Sequence, residues 1–164
     1  MAIDCYMTQG TKEALGIKSH RIHIIKQQDK FKVGRFTVRS FESYHDAKEP
    51  VNFVIDIDNY RVAYITDTRK ANYIIPNMTH ILIEANYSKE LLIKNTANGN
   101  EEEILMKRIM NTHLSIEQTI DFLRKNDLSK TVAIYLIHLS DKNSRADLFK
   151  EMVEKETGIE TYVC

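Results

Sequence analysis

Apolar and polar positions alternate along the front of this chain and cluster at helical spacing along its back. Ile3, Cys5 and Met7 alternate with polar neighbours, which predicts a strand over residues 1–10 that leads into a loop. Residues 11–15 predict one or two helical turns, stopped by Gly16 at a C-cap position. Residues 20–26, with Ile22, Ile24 and Ile25, read as a strand, and residues 31–34 as a short strand and turn. In the stretch 36–41, Phe36 and Val38 share one face while Thr37 and Arg39 share the other. Residues 51–57 and 60–66 flank Asp58-Asn59, a dipeptide suited to a tight turn, and predict a β-hairpin. Ile81-Leu82-Ile83 reads as a short buried strand. Residues 131–137 are apolar on both faces after Thr131, the pattern of a strand covered on both sides.

Helical spacing takes over in the second half. Ile104, Leu105 and Ile109 fall on one side of a helix over 101–110. Ser115-x-x-Gln118 is a capping box, which predicts a helix from Ile116 to about Lys125 with Ile116, Ile120 and Leu123 on its stripe. Ser144-x-x-Asp147 predicts the start of a last helix, with Leu148, Phe149, Met152 and Val153 as its stripe and Gly158 after its end. Residues 160–163 predict a closing strand, and the stretch 95–100 predicts a flexible loop. A hairpin-rich front and a β–α–β–α–β back make the chain α/β.

At 164 residues one core is expected, hence one domain. Lys plus Arg and Asp plus Glu number 23 each, so no bulk charge grips a polyanion, and a small nucleotide is favoured over long nucleic acid unless a local basic patch exists. Two cysteines, Cys5 and Cys164, are too few for a disulfide framework and predict a reducing, cytoplasmic setting. The start lacks a signal-peptide pattern, and no apolar run approaches the ~18 residues that span a bilayer.

The candidate chemistry lies at strand ends. Tyr44-His45-Asp46, Thr66-Asp67-Thr68 and His138-Leu139-Ser140 each follow an apolar segment, and Thr112-His113-Leu114-Ser115 opens a helix. Singly each has an ordinary explanation: a solvated loop histidine at His45, a turn cap at Asp67, a hydrogen-bonded core histidine at His138. Together, two histidines and an aspartate on separate strand ends are a common way to gather metal ligands from distant parts of a chain. His20 and His23 lie on opposite faces of their strand, His80 marks a turn, and the triplet Glu101-Glu102-Glu103 reads as a solvated helix start.

In this order, and with the neighbouring words Tyr64-Ile65-Thr66-Asp67-Thr68, Ile83-Glu84-Ala85-Asn86-Tyr87 and Leu136-Ile137-His138-Leu139-Ser140, the chain resembles the metallo-β-lactamase-fold hydrolases. The resemblance is in particular to the ribonuclease Z-like and phage or bacterial phosphodiesterase branch. The resemblance runs from about Tyr6 to Val163 and implies the C-terminal half of an αββα sandwich, a mixed sheet with covering helices. It implies His45, Asp67 and His138 as metal ligands, with Asp67 bridging two divalent ions, zinc first and manganese as the alternative. It implies His113 as proton donor to the leaving group, since imidazole titrates near neutral pH. Glu84 and Ser140 would orient the ligands from behind. The implied activity is hydrolysis of a phosphodiester in a nucleotide or nucleic acid.

The family's main metal motif, His-x-His-x-Asp-His, is absent from this sequence. The expectation is therefore a single partial domain over 1–164, with reduced or no metal binding and activity alone, completed by a complementary N-terminal half or by homo-oligomerisation. An apolar sheet face on the hairpin 51–66 would then lie uncovered. The alternative is a non-catalytic binding or oligomerisation module derived from the same fold.

Overall fold

The computed structural model of the protein describes residues 3–95 and 100–164. The elements run β1 (Cys5–Thr8), α1 (Gln9–Leu15), β2 (Ile22–Ile25), β3 (Lys30–Val33), β4 (Phe36–Glu42), β5 (Val51–Ile57) and β6 (Tyr60–Ile65). They continue with β7 (His80–Glu84), α2 (Lys89–Asn95), α3 (Asn100–Thr112), α4 (Ile116–Lys125), β8 (Ala133–Ile137), α5 (Ala146–Thr157) and β9 (Thr161–Val163). Among the described residues, β3 to β9 form one seven-stranded sheet in chain order, antiparallel from β3 to β6 and parallel from β6 to β9. The expected α/β architecture, a mixed sheet with covering helices, is the one observed.

Alternation decides which side of this sheet is covered. Val54, Ala63, Ile65, Ile81, Ile83, Ile134 and Leu136 point to one face and are buried against Ile116, Ile120 and Leu123 of α4 and Phe149 and Val153 of α5. Full burial of each such side chain contributes roughly 1.5–3 kcal/mol. The opposite face carries a row of register partners across five strands: Phe53, Tyr64, Leu82, Tyr135 and Tyr162. No helix covers this row among the described residues, and Tyr64 and Tyr162 are exposed. Tyr135 and Tyr162 stack on each other, ring centroids 5.1 Å apart. On the antiparallel side, Asp56 of β5 joins its neighbours by bonds from Arg39 of β4 at 2.5 Å and Arg61 of β6 at 2.6 Å.

The hairpin β5–β6 turns at Asp58, whose φ of 50° is the left-handed geometry the turn needs. The capping box of α4 is formed as its sequence predicts: Ser115 Oγ accepts from the Gln118 amide and Gln118 Oε1 accepts from the Ser115 amide. Other expectations need correction. Residues 1–10 do not end in a loop. β1 passes directly into α1, because Thr8 Oγ1 accepts from the Thr11 amide and starts the helix two residues before the predicted start. β1 pairs in parallel with β2 as a separate two-stranded sheet. Ser144 does not cap α5. Its hydroxyl donates to the Ser140 carbonyl at 2.6 Å, and the helix begins at Ala146 without a side-chain cap. The apolar residues Ile104 and Leu105 of α3 face solvent rather than the core. Most of the predicted loop at 95–100 lies outside the described residues.

Candidate metal centre

Three adjacent parallel strands deliver their next polar residue to the same end of the sheet. Glu84 is the last residue of β7, His138 follows β8 directly, and Asp67 lies two residues past β6. His113 joins them from the junction between α3 and α4, and His45 from the connection between β4 and β5. Asp67 Oδ1 lies 3.0 Å from His138 Nδ1, 3.7 Å from His113 Nδ1 and 3.8 Å from His45 Nε2. One carboxylate oxygen thus faces nitrogens of three imidazoles, whose rings sit edge to face with His113 5.4 Å from His45 and 5.0 Å from His138.

Glu84 lies beneath them, fully buried. His113 Nδ1–H donates to Glu84 Oε1 at 2.6 Å, His138 Nδ1 lies 3.3 Å from the same oxygen, and the Thr68 amide donates to Oε2 at 3.1 Å. Burial pushes the Glu84 carboxyl up, but the bonds from the two imidazoles and the Thr68 amide prevail and hold it below the usual range. The His138 imidazole is raised by its bond to Glu84, against its own desolvation, with the charges of Glu84 and Asp67 adding to the rise.

Asp67, Glu84, His113 and His138 each offer a donor atom within 4.8 Å of the others. This buried carboxylate among imidazoles, with two carboxylates and nitrogen donors converging, suits a divalent cation. His45 lies at the margin of the group. Its Nδ1 is 3.1 Å from Asp46 Oδ1 and 3.2 Å from the Ala47 amide nitrogen. The Ala47 amide donates to Nδ1, so the neutral ring carries its hydrogen on Nε2, which faces Asp67 Oδ1 at 3.8 Å.

Of the residues singled out in the sequence, His45, Asp67, Glu84, His113 and His138 are brought together. Ser140 is not. Its hydroxyl accepts from the Asn143 amide at 3.3 Å and closes a turn. The residue that does support the cluster from behind is Asn86. Its amide donates to the Leu114 carbonyl at 2.9 Å, its carbonyl accepts from the Ser140 amide at 2.9 Å, and its Nδ2 donates to the His138 carbonyl at 2.8 Å. Asn86 therefore ties the loop of His113 to the loop of His138, a role with no signal in the sequence beyond a polar residue just past a buried strand. Ser43 Oγ likewise donates to the Asp67 carbonyl at 2.7 Å. Asp67 and His138 hold left-handed φ values of 48° and 57°, a conformation that costs a non-glycine residue roughly 1–3 kcal/mol and gathers at functional sites.

Residues 5–138 match the family described as "Beta-lactamase superfamily domain". The chain belongs to this superfamily. Among curated members it is similar to the exodeoxyribonuclease WalJ of Streptococcus pneumoniae, 29% identical over 160 residues that cover 89% of this chain and 58% of WalJ. Two solved structures of the superfamily fold share the architecture. The metallo-beta-lactamase fold protein YhfI of Bacillus subtilis aligns with a TM-score of 0.68 at 12% identity over 97% of this chain and 61% of its own. Zn(2+)-bound PqqB of Methylobacterium extorquens aligns with a TM-score of 0.68 at 14% identity over 97% of this chain and 61% of its own. This superfamily chain thus spans little more than half the length of the curated relative it matches. No helix among its described residues is long and apolar enough to cross a membrane.

Proposed function

We propose that this chain carries one side of a metal-dependent phosphodiesterase centre that acts on nucleic acid. The observation that carries the reading is the convergence on Asp67 Oδ1 of nitrogens from His45, His113 and His138. The similarity to an exodeoxyribonuclease supports a DNA phosphodiester as the bond attacked. Asp67, His45 and His138 would hold the metal. Bound there, a pair of divalent ions would lower the pKa of a shared water and offset charge on the attacked phosphate. His113 keeps Nδ1–H on Glu84, so its Nε2 is free to hand a proton to the departing oxygen. Glu84 fixes the tautomer of that ring and sets its direction.

The same reading makes 1–164 a partial domain, completed by a segment or partner that brings the His-x-His-x-Asp-His donors. Support comes from the uncovered row of Phe53, Tyr64, Leu82, Tyr135 and Tyr162, beside whose end the metal-binding residues lie. That row also favours the second reading, a non-catalytic oligomerisation module.

The test is the metal content of purified chain mixed with a polypeptide that supplies the His-x-His-x-Asp-His segment, and the turnover of bis-p-nitrophenyl phosphate by that mixture. The enzyme reading expects zinc or manganese near stoichiometry and turnover that His138→Ala and Asp67→Asn each reduce by at least a hundredfold. A folded oligomer that takes up neither ion and turns nothing over gives the site to the module reading.

A further inference from the structure

Beside the metal centre, on the His45 side, opens a cleft of about 450 Å³, within the range of roughly 300–1,000 Å³ typical of ligand sites. Tyr44, His45 and Asp46 line one wall, Arg69 the second, and Arg108 and Asn111 of α3 the third. His45 belongs both to this cleft and to the metal centre, so the two spaces share a wall.

The charges here depart from the chain as a whole, whose basic and acidic residues balance at 23 each. Arg69, Lys70 and Arg108 gather around the cleft. The Arg69 guanidinium has no carboxylate partner among the described residues, and its backbone is pinned in place, its amide donating to the Tyr44 carbonyl at 3.0 Å. Lys70 Nζ sits 3.7 Å from the centroid of the Tyr44 ring. Among the described residues Arg108 pairs with Asp46, at 3.4 Å, with both side chains half or more exposed. An exposed pair of this kind is worth little and yields to a stronger anion. A guanidinium matches two oxygens of a phosphate, which is the ligand that forked donors beside a phosphodiester-cleaving centre suit best.

Resting on the phosphodiesterase reading above, we propose that this cleft is a backbone subsite in which Arg69 and Arg108 hold a phosphate of the DNA strand next to the bond being cleaved. Arg69 stands ready without rearrangement. Arg108 exchanges Asp46 for the phosphate. The subsite makes the centre prefer a strand over an isolated phosphodiester, because only a strand reaches both places at once. It also reconciles zero net charge with a polyanionic substrate, since two placed cations replace a basic surface.

Binding of a fluorescein-labelled single DNA strand of about 12 nucleotides, followed by anisotropy across a salt series, tests this on the full chain. Arg69→Gln and Arg108→Gln are changes outside the core, and a far-UV spectrum checks that each variant folds. The double variant is expected to bind about tenfold more weakly, with the slope of log affinity against log salt shallower by about 0.7 for each phosphate no longer neutralised. Arg124→Gln, on α4 and paired with Glu156, is the charge-matched control and is expected to bind as the parent does. Equal strand affinity in parent and double variant overturns the subsite, as does a parent that binds no strand or a control that weakens as much. A parent that binds the strand through these arginines yet hydrolyses no small phosphodiester when mixed with the complementary segment keeps the subsite and rejects the catalytic reading.

Discussion

Glu84 is the residue on which the centre leans. Its carboxylate has no exposure, yet it stays ionised because His113, His138 and the Thr68 amide all face it. Replacing it by glutamine keeps the shape and removes the charge that orients two imidazoles. The expected result for Glu84→Gln is a folded chain whose zinc affinity, measured against a competing chelator dye, falls 10- to 100-fold. An unchanged affinity would show that the imidazoles hold their directions without it. The residues gathered here were singled out in the sequence at strand ends and, for His113, at a helix start, but their pairing was not legible. Glu84 and His113 lie 29 positions apart, and no local pattern links them. Asn86 escaped notice for the same reason, since its three bonds go to parts of the chain that only the folded sheet brings near.

Among the elements, the antiparallel side of the sheet is tied by Asp56 between Arg39 and Arg61. Burial raises the Asp56 carboxyl, the bonds from both arginines lower it, and the net shift is below its ordinary value of 3.8. A carboxyl depressed on folding adds stability above its unfolded pKa and loses it as pH falls through the folded value. Asp56→Asn is therefore expected to cost about 1 kcal/mol at pH 7. The gap to the parent should close as urea titrations are repeated at pH values below about 4, and a gap constant with pH would discount the ionic contribution. The elements that sequence reading located best are those whose signals are local. The β5–β6 hairpin combines alternation with a turn dipeptide, and α4 combines a stripe with a capping box. The short helix α2 and the parallel pairing of β1 with β2 carry no such signal, because tertiary contact stabilises them. Ser144 misled for a related reason: its hydroxyl had a carbonyl of Ser140 in reach and bonded there instead of capping α5.

For the molecule as a whole, the two faces of the sheet are unequal. One is sealed by α4 and α5, and the other carries a row of aromatic and aliphatic side chains of which Tyr64 and Tyr162 are exposed and the rest half-buried. A face of this kind favours association. The chain is expected to sediment with a concentration-dependent coefficient, and Tyr64→Lys, within the row, is expected to weaken self-association about tenfold, near 1.4 kcal/mol. Sedimentation that is identical for parent and variant would show that the row is not the contact. The parallel half of the sheet has a consequence of its own. Asp67, Glu84 and His138 lie at the ends of neighbouring strands, which the hydrogen-bond ladder holds about 4.8 Å apart. The sheet thereby acts as a ruler for whatever ion is caught at its end. Only side-chain reach and rotation remain to adjust the distance to that ion.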